Sequence, residues 1–130
     1  MTSELSRELL HLGKKHKNLV VLTSLSELDS GLEDFARFFG ERYFTFGLGI
    51  ENMVGAAVGF ALRGKLPVIV GEGVLEKAFS QVKHDVCEVN LNVKIVDFGG
   101  VRDFKGLDNL KLSESLEEMV DEYGPSLKVL

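Results

Sequence analysis

Short blocks of apolar residues alternate with polar stretches along this 130-residue chain, and the spacing within each block predicts helices and strands. Leu5, Leu9, Leu10 and Leu12 share one side of a helix predicted over 3–17. The unbroken apolar run over 19–23 is typical of a strand covered on both faces. Further helices are predicted over 32–39, 51–63, 75–88 and 113–123, and further strands over 42–46, 66–70, 91–96 and 127–130. Ser113 is expected to cap the last helix, and Gly124 to end it.

Alternation of strands and helices decides the fold class. Consecutive parallel strands are joined by right-handed crossovers that place helices on both faces of the sheet. The pattern therefore predicts an α/β fold, a three-layer sandwich with a mostly parallel sheet. At 130 residues the chain is expected to form one domain over 1–130.

The helix predicted over 51–63 has no polar stripe, because eight apolar side chains cover most of its circumference. A helix that is apolar all round is buried on every side, which a chain this short can achieve only if a partner covers one face. Gly55 and Gly59 each cost about 1 kcal/mol in helix propensity, which close packing against another backbone would offset. We therefore expect a homodimer or heteromer that associates through this helix.

Composition narrows the class of protein. Apolar residues make up 45% and charged residues 27% of the chain, as in ordinary globular proteins. The net charge of −5 and the lack of a basic block argue against nucleic-acid binding. No apolar run reaches the roughly 18 residues of a membrane span. The single cysteine, Cys87, excludes an internal disulfide and suits a cytoplasmic location.

Spacing alone reveals little chemistry. His84 and Cys87 are three residues apart, but one such pair is weak evidence for zinc, so no metal site is predicted. The segment from Gly47 to Asn52 lacks the third glycine of a dinucleotide-binding loop. Glu51 has two interpretations: a carboxylate bonded to free amides at the helix start, or one that exchanges a proton with a heterocyclic ligand. Spacing favours the first.

Two longer segments carry a resemblance to a known family. Residues 42–61 (RYFTFGLGIENMVGAAVGFA) and 81–96 (QVKHDVCEVNLNVKIV) resemble the pyrimidine-binding domain of transketolases and deoxyxylulose-phosphate synthases, and 116–119 and 125–130 match its end in register. The resemblance implies that the domain binds the aminopyrimidine ring of thiamine diphosphate at a dimer interface. A glutamate of the family promotes the imino tautomer, whose nitrogen deprotonates the thiazolium carbon before two-carbon ketol transfer.

The same resemblance implies a missing half. In the family, the diphosphate and magnesium are held by a different domain with a Gly-Asp-Gly motif, which this sequence lacks. Magnesium would therefore come only through a partner chain, such as a transketolase N-terminal-section subunit.

The alignment departs from the family pattern at the site itself. Without gaps, the family's catalytic glutamate falls on Ile50, and Glu51 falls on the neighbouring glutamine. One residue along a helix turns a side chain by about 100° and moves it about 1.5 Å. The family's stacking aromatic falls near Glu72, and its arginine on Lys77. The resemblance assigns Glu51 as the candidate catalytic residue and Ile50, Gly47 and Gln81 as candidate cofactor-binding positions.

Three hypotheses follow. In the first, the chain is a pyrimidine-domain protein that has lost thiamine diphosphate chemistry. In the second, it is the active half of a split transketolase in which a local shift of register recruits Glu51. In the third, it is an unrelated small α/β binding protein. The first two differ in where Glu51 points. In the second its carboxylate faces a cleft at the dimer interface, whereas in the first it caps its helix or meets solvent and Ile50 faces the former site.

Overall fold

Six parallel strands form one sheet in the computed structural model, which describes residues 3–25, 32–99 and 105–130. The strands of this described part are β1 (Leu19–Thr23), β2 (Tyr43–Thr45), β3 (Leu66–Glu72), β4 (Lys94–Phe98), β5 (Lys111–Leu112) and β6 (Ser126–Val129). Their order across the sheet is β2-β1-β3-β4-β6-β5, and every neighbouring pair is parallel. The predicted α/β class with a parallel sheet is confirmed.

Helices cover both faces of the sheet. They are α1 (Ser3–Lys15), α2 (Glu33–Phe38), α3 (Ile50–Leu62), α4 (Val74–Lys77), α5 (Phe79–Gln81), which continues as a π-helix (Val82–Cys87), and α6 (Leu116–Asp121). A short 3₁₀ turn (Gly40–Arg42) leads into β2. None of the helices in the described ranges has the length and apolar character that crossing a membrane requires.

Alternate residues of the central strands supply two separate cores, because successive strand side chains point to opposite faces. Val21 and Val68 pack with α1, α2 and α6 on one face. Leu22 and Ile69 pack with α3, α4 and the π-helix on the other. A strand that feeds both cores must be apolar throughout, which explains the unbroken run at 19–23. The three predicted layers are confirmed.

The helix predicted over 75–88 is divided. Ala78 leaves the helical region (φ −128°, ψ 33°) and separates α4 from α5. Beyond α5 the helix widens, so that the Glu88 amide donates to the carbonyl of Lys83, five residues back. Asn90, at φ 51°, then turns the chain, and β4 begins only at Lys94 rather than at the predicted position 91.

The last helix also begins later than predicted. Ser115, not Ser113, is its cap, since the Ser115 hydroxyl accepts a hydrogen bond from the Glu118 amide at 3.1 Å. The Ser113 amide instead donates to the carbonyl of Leu127 at 2.8 Å. Residues just before Ser113 therefore belong to the edge strand β5, which the sequence did not predict.

Arg42 fixes the approach to the second strand. Its guanidinium donates to the carbonyls of Leu19 (2.9 Å), Gly13 (2.7 Å) and His16 (3.2 Å) and lies 4.0 Å from the ring centre of Phe39. These contacts join the end of α1 to β1 and β2. The first residue of the family-like segment 42–61 therefore has a structural role.

Candidate functional site

A groove lies at the carboxyl ends of β1 and β3, beside the start of α3. The chain passes from β1 to β2 on one side and then crosses to β3 on the other, so β1 and β3 flank the point where the order of strands reverses. Ligands of open parallel sheets bind in the crevice at such a point. The topology therefore marks this groove as the candidate site.

Two adjoining hollows make up the groove. The larger has a volume of about 540 Å³, and the smaller of about 160 Å³. Leu48, Ile50 and Lys77 line both, which makes the groove continuous. The larger hollow is also lined by Gly49, Glu51 and Asn52, and the smaller by Ser24, Leu25, Gly47 and Glu72.

Ile50 forms the apolar floor of the groove. It is the first residue of α3, is only 7% exposed and belongs to the core beneath the sheet's α3 face. Because it lines both hollows, a ligand in either would meet its alkyl side chain. An isoleucine can neither accept nor donate a proton, so this position can supply only apolar contact.

Glu51 lies at the margin of the larger hollow, and its residue is exposed. The cap of α3 is Gly49, and no side chain there accepts a hydrogen bond from the helix start. Because glycine has no side chain, the cap residue does not decide between the two interpretations of Glu51. The structure leaves this carboxylate open to solvent beside the groove.

Gly47 opens the tight turn that leads into α3. Its φ of +55° lies in the left-handed region, which L side chains rarely adopt. The turn leaves Leu48 completely exposed at the mouth of the groove. Gly47 itself lines the smaller hollow, so the sequence-predicted position is part of the groove.

Gln81 does not line either hollow. Its side-chain amide donates to the backbone carbonyl of Glu51 at 2.9 Å and so braces the first turn of α3 from the neighbouring helix. The amide oxygen is buried without a hydrogen-bond partner. The structure thus places Gln81 behind the groove, where it holds Glu51 in position.

Lys77 and Glu72 also line the groove, although neither was predicted as a site residue. Glu72 ends β3, and Lys77 ends the short helix that follows. Both are exposed, and the Lys77 side chain extends back over Gly73. Together with Glu51 they give the groove two carboxylates and one ammonium group. The sequence could have indicated Glu72 and Lys77 as site residues, because they lie at and shortly after the carboxyl end of an apolar strand.

Asp97 holds the wall that carries Lys77. This carboxylate is 1% exposed and accepts hydrogen bonds from the amides of Gly73 (2.8 Å), Val74 (3.2 Å) and Leu75 (3.2 Å). Burial raises the pKa of the Asp97 carboxyl, and these three donors oppose that rise. The residue was not predicted, because its partners are more than twenty positions away.

Other reactive groups lie outside the groove. Among residues 3–25, 32–99 and 105–130, no three His, Cys, Asp or Glu side chains are grouped closely enough to hold a metal ion. Burial raises the pKa of the Cys87 thiol to about 11, which keeps it protonated and unreactive at neutral pH. Neither Cys87 nor a metal site among these residues therefore adds to the candidate chemistry of the groove.

The fold is that of an α/β domain with an open parallel sheet and a groove at the carboxyl ends of its central strands. No family model matches the chain. It is 35% identical over 102 residues to a 1-deoxy-D-xylulose-5-phosphate synthase of Listeria monocytogenes, a match that covers 77% of this chain and 17% of that protein. The corresponding protein of Listeria welshimeri is 30% identical over 126 residues, covering 92% and 20%. The chain thus spans about a fifth of the length of these relatives.

Solved structures give the same fold. A protein described as "Split gene transketolase, inactive beta4 tetramer" superposes with a TM-score of 0.85 at 24% identity, over 96% of this chain and 49% of that one. A putative thiamin diphosphate-dependent enzyme from Mycobacterium smegmatis gives 0.55 at 20% identity, over 86% and 28%. The chain belongs to the transketolase-like family of thiamine diphosphate-dependent proteins, with the fold of their pyrimidine-binding domain. The resemblance predicted from the sequence is confirmed.

Proposed function

We propose that this chain is a transketolase-type pyrimidine-domain subunit whose thiamine diphosphate chemistry is impaired. It acts in the cytoplasm as a structural or regulatory subunit, or binds another ligand in the groove. The observation that carries the proposal is that Ile50 forms the floor of the groove. The family resemblance, read without gaps, places the catalytic glutamate at this position. Without an acid at this position, the imino tautomer of an aminopyrimidine has no proton relay.

The remaining groove residues support the same proposal. Glu51 is one position further along α3 and is exposed at the groove margin, and the side-chain amide of Gln81 donates to its backbone carbonyl. Within 3–25, 32–99 and 105–130, none of the residues that line the two hollows is aromatic. A pyrimidine bound there would meet neither an acid at position 50 nor a stacking ring from these residues.

Direct titration tests this proposal. Thiamine diphosphate with magnesium, titrated calorimetrically into the purified chain, is expected to bind weakly or not at all. Micromolar, magnesium-dependent binding would overturn the proposal. Thiamine titrated without magnesium is the control for contacts to the ring alone.

The second candidate is the active half of a split thiamine diphosphate-dependent transketolase. Two observations favour it: the chain matches half of a protein described as a split-gene transketolase, and Glu51 does line the larger hollow. A partner chain would then hold the diphosphate and magnesium. Copurification from the source organism tests this candidate, which predicts a partner with a Gly-Asp-Gly motif and ketol transfer that Glu51→Gln abolishes.

Association through α3 is part of both candidates. One side of this helix is apolar yet uncovered within the chain: Gly55 and Gly59 are exposed, and Leu62 is 72% exposed. Two exposed glycines beside an exposed leucine form a surface to which another backbone can pack closely. We infer that a second copy of the chain, or a related subunit, covers it.

A further inference from the structure

One side of α3 is exposed, and we call it the open face of α3. It consists of Glu51, Gly55, Gly59 and Leu62, and the sequence of these residues along the helix favours one orientation of two paired copies. Spacings of four, four and three residues align these positions along one side of the helix. No other heavy atom of the described chain lies within 4 Å of the place where a Cβ on Gly59 would stand. A second backbone can therefore approach closely at the centre of the face.

Opposite charges stand at the two ends of this face. Glu51 is in the first turn of α3, and Arg63 is the residue at its C-terminal cap. Both are exposed, and neither forms an ion pair with any other residue in the described ranges. The face is thus apolar in the middle, acidic at one end and basic at the other.

We propose that α3 pairs with α3 of a second copy of this chain in antiparallel orientation, with Glu51 of each copy beside Arg63 of the partner subunit. The inference rests on the proposed association through α3 and adds its orientation. A two-fold axis midway between Gly55 and Gly59 places positions 51 and 63 at the same height. Each contact then occurs twice, as two-fold symmetry requires.

The parallel alternative is disfavoured by the same charges. Parallel helices would place Glu51 beside Glu51 of the partner subunit and Arg63 beside Arg63 of the partner subunit. Like charges in contact oppose association, whereas complementary charges at the rim of an apolar interface specify its register. The antiparallel arrangement also brings Leu62 of one copy towards Asn52 of the partner subunit, so the exposed leucine becomes covered.

Charge reversal tests the orientation. Sedimentation equilibrium of Glu51→Arg or Arg63→Glu is expected to show a dimer dissociation constant about tenfold higher, because two attractive pairs become repulsive. Glu76→Arg, on an exposed position of α4, is the matched control and should leave the constant unchanged. Reversal at a helix end also weakens the helix slightly through its dipole. Mixing the two single variants controls for that effect, since it should restore dimers without altering either chain.

The double variant separates the two orientations. Glu51→Arg with Arg63→Glu should dimerise with itself as tightly as the original chain does. In native mass spectrometry, however, it should not form mixed dimers with the original chain, because antiparallel pairing then places like charges together. Statistical mixing of the two would overturn the inference, as would single variants that dimerise normally. If the chain is monomeric at all concentrations, the proposed association through α3 is wrong. The proposed loss of thiamine diphosphate chemistry is not affected by that result.

Discussion

Replacement of Lys94 by methionine tests how the fold holds a buried charge. Lys94 is 1% exposed, and its ammonium donates to the carbonyl of Glu122 at 2.6 Å and to that of Gly124. Burial lowers the pKa of Lys94 to about 8. The unfolded chain keeps this proton to about pH 10.4, so between these values it binds more protons than the folded chain. Stability contributed by Lys94 therefore rises as pH increases from about 8 to about 10.

The size of this effect follows from the shift in pKa. A shift of between two and three units at about 1.36 kcal/mol per unit gives about 3 kcal/mol between pH 7 and pH 10.5. Urea unfolding across this range should show the free energy of unfolding of the original chain rising relative to that of Lys94→Met by this amount. Lys65→Met, which removes an exposed lysine, is the control and should follow the original chain. Parallel pH profiles for the original chain and Lys94→Met would refute the reasoning.

Three further substitutions test the interface, the groove wall and the last helix. Gly59→Leu places its side chain in open space within the chain, so the monomer should stay folded, but sedimentation should show dimers weakened by about 1–3 kcal/mol. Gly40→Leu, also in open space, is the control and should not weaken the dimer. Equal dimer affinities for the two variants would contradict the interface. Asp97→Ala leaves the Val74 and Leu75 amides without an acceptor and the Gly73 amide with only the Phe98 carbonyl, so it should lower the free energy of unfolding by about 3 kcal/mol. A loss below about 0.5 kcal/mol in urea unfolding would contradict that role. Ser115→Ala should lower the free energy of unfolding, measured by thermal unfolding, by about 1 kcal/mol, and Ser113→Ala by less. The reverse order would indicate that Ser113 is the cap, as the sequence predicted.

The layers of the fold could be predicted because they depend on local periodicity. A central strand such as 19–23 must be apolar on both faces, and an amphipathic helix such as α1 must repeat its leucines every three or four residues. The edge strand β5 gives no such signal, since both Lys111 and Leu112 are exposed and pair only through the backbone. The break at Ala78 was missed for a related reason, because the apolar spacing of 75–88 continues across it.

The candidate site was only partly predictable. The proposed displacement of the acid from position 50 to 51 follows from the register of the family resemblance alone. The groove itself joins the turn at Gly47 to Lys77, thirty residues later, and only the packing of α3 against α4 brings them together. The cofactor-binding role of Gln81 stays a prediction, and the contact of its amide with the Glu51 carbonyl was not foreseen because it depends on side-chain geometry.

Exchange of the thiazolium C2 proton of thiamine diphosphate tests the central claim most directly. The tagged chain would be purified from its source organism with any partner, supplied with magnesium and the cofactor, and followed by NMR in deuterated buffer. If Ile50 occupies the position of the acid, as we propose, exchange should be no faster than for the free cofactor. Exchange that is accelerated in the original assembly and lost in Glu51→Gln would contradict this account and show that Glu51 performs the proton relay.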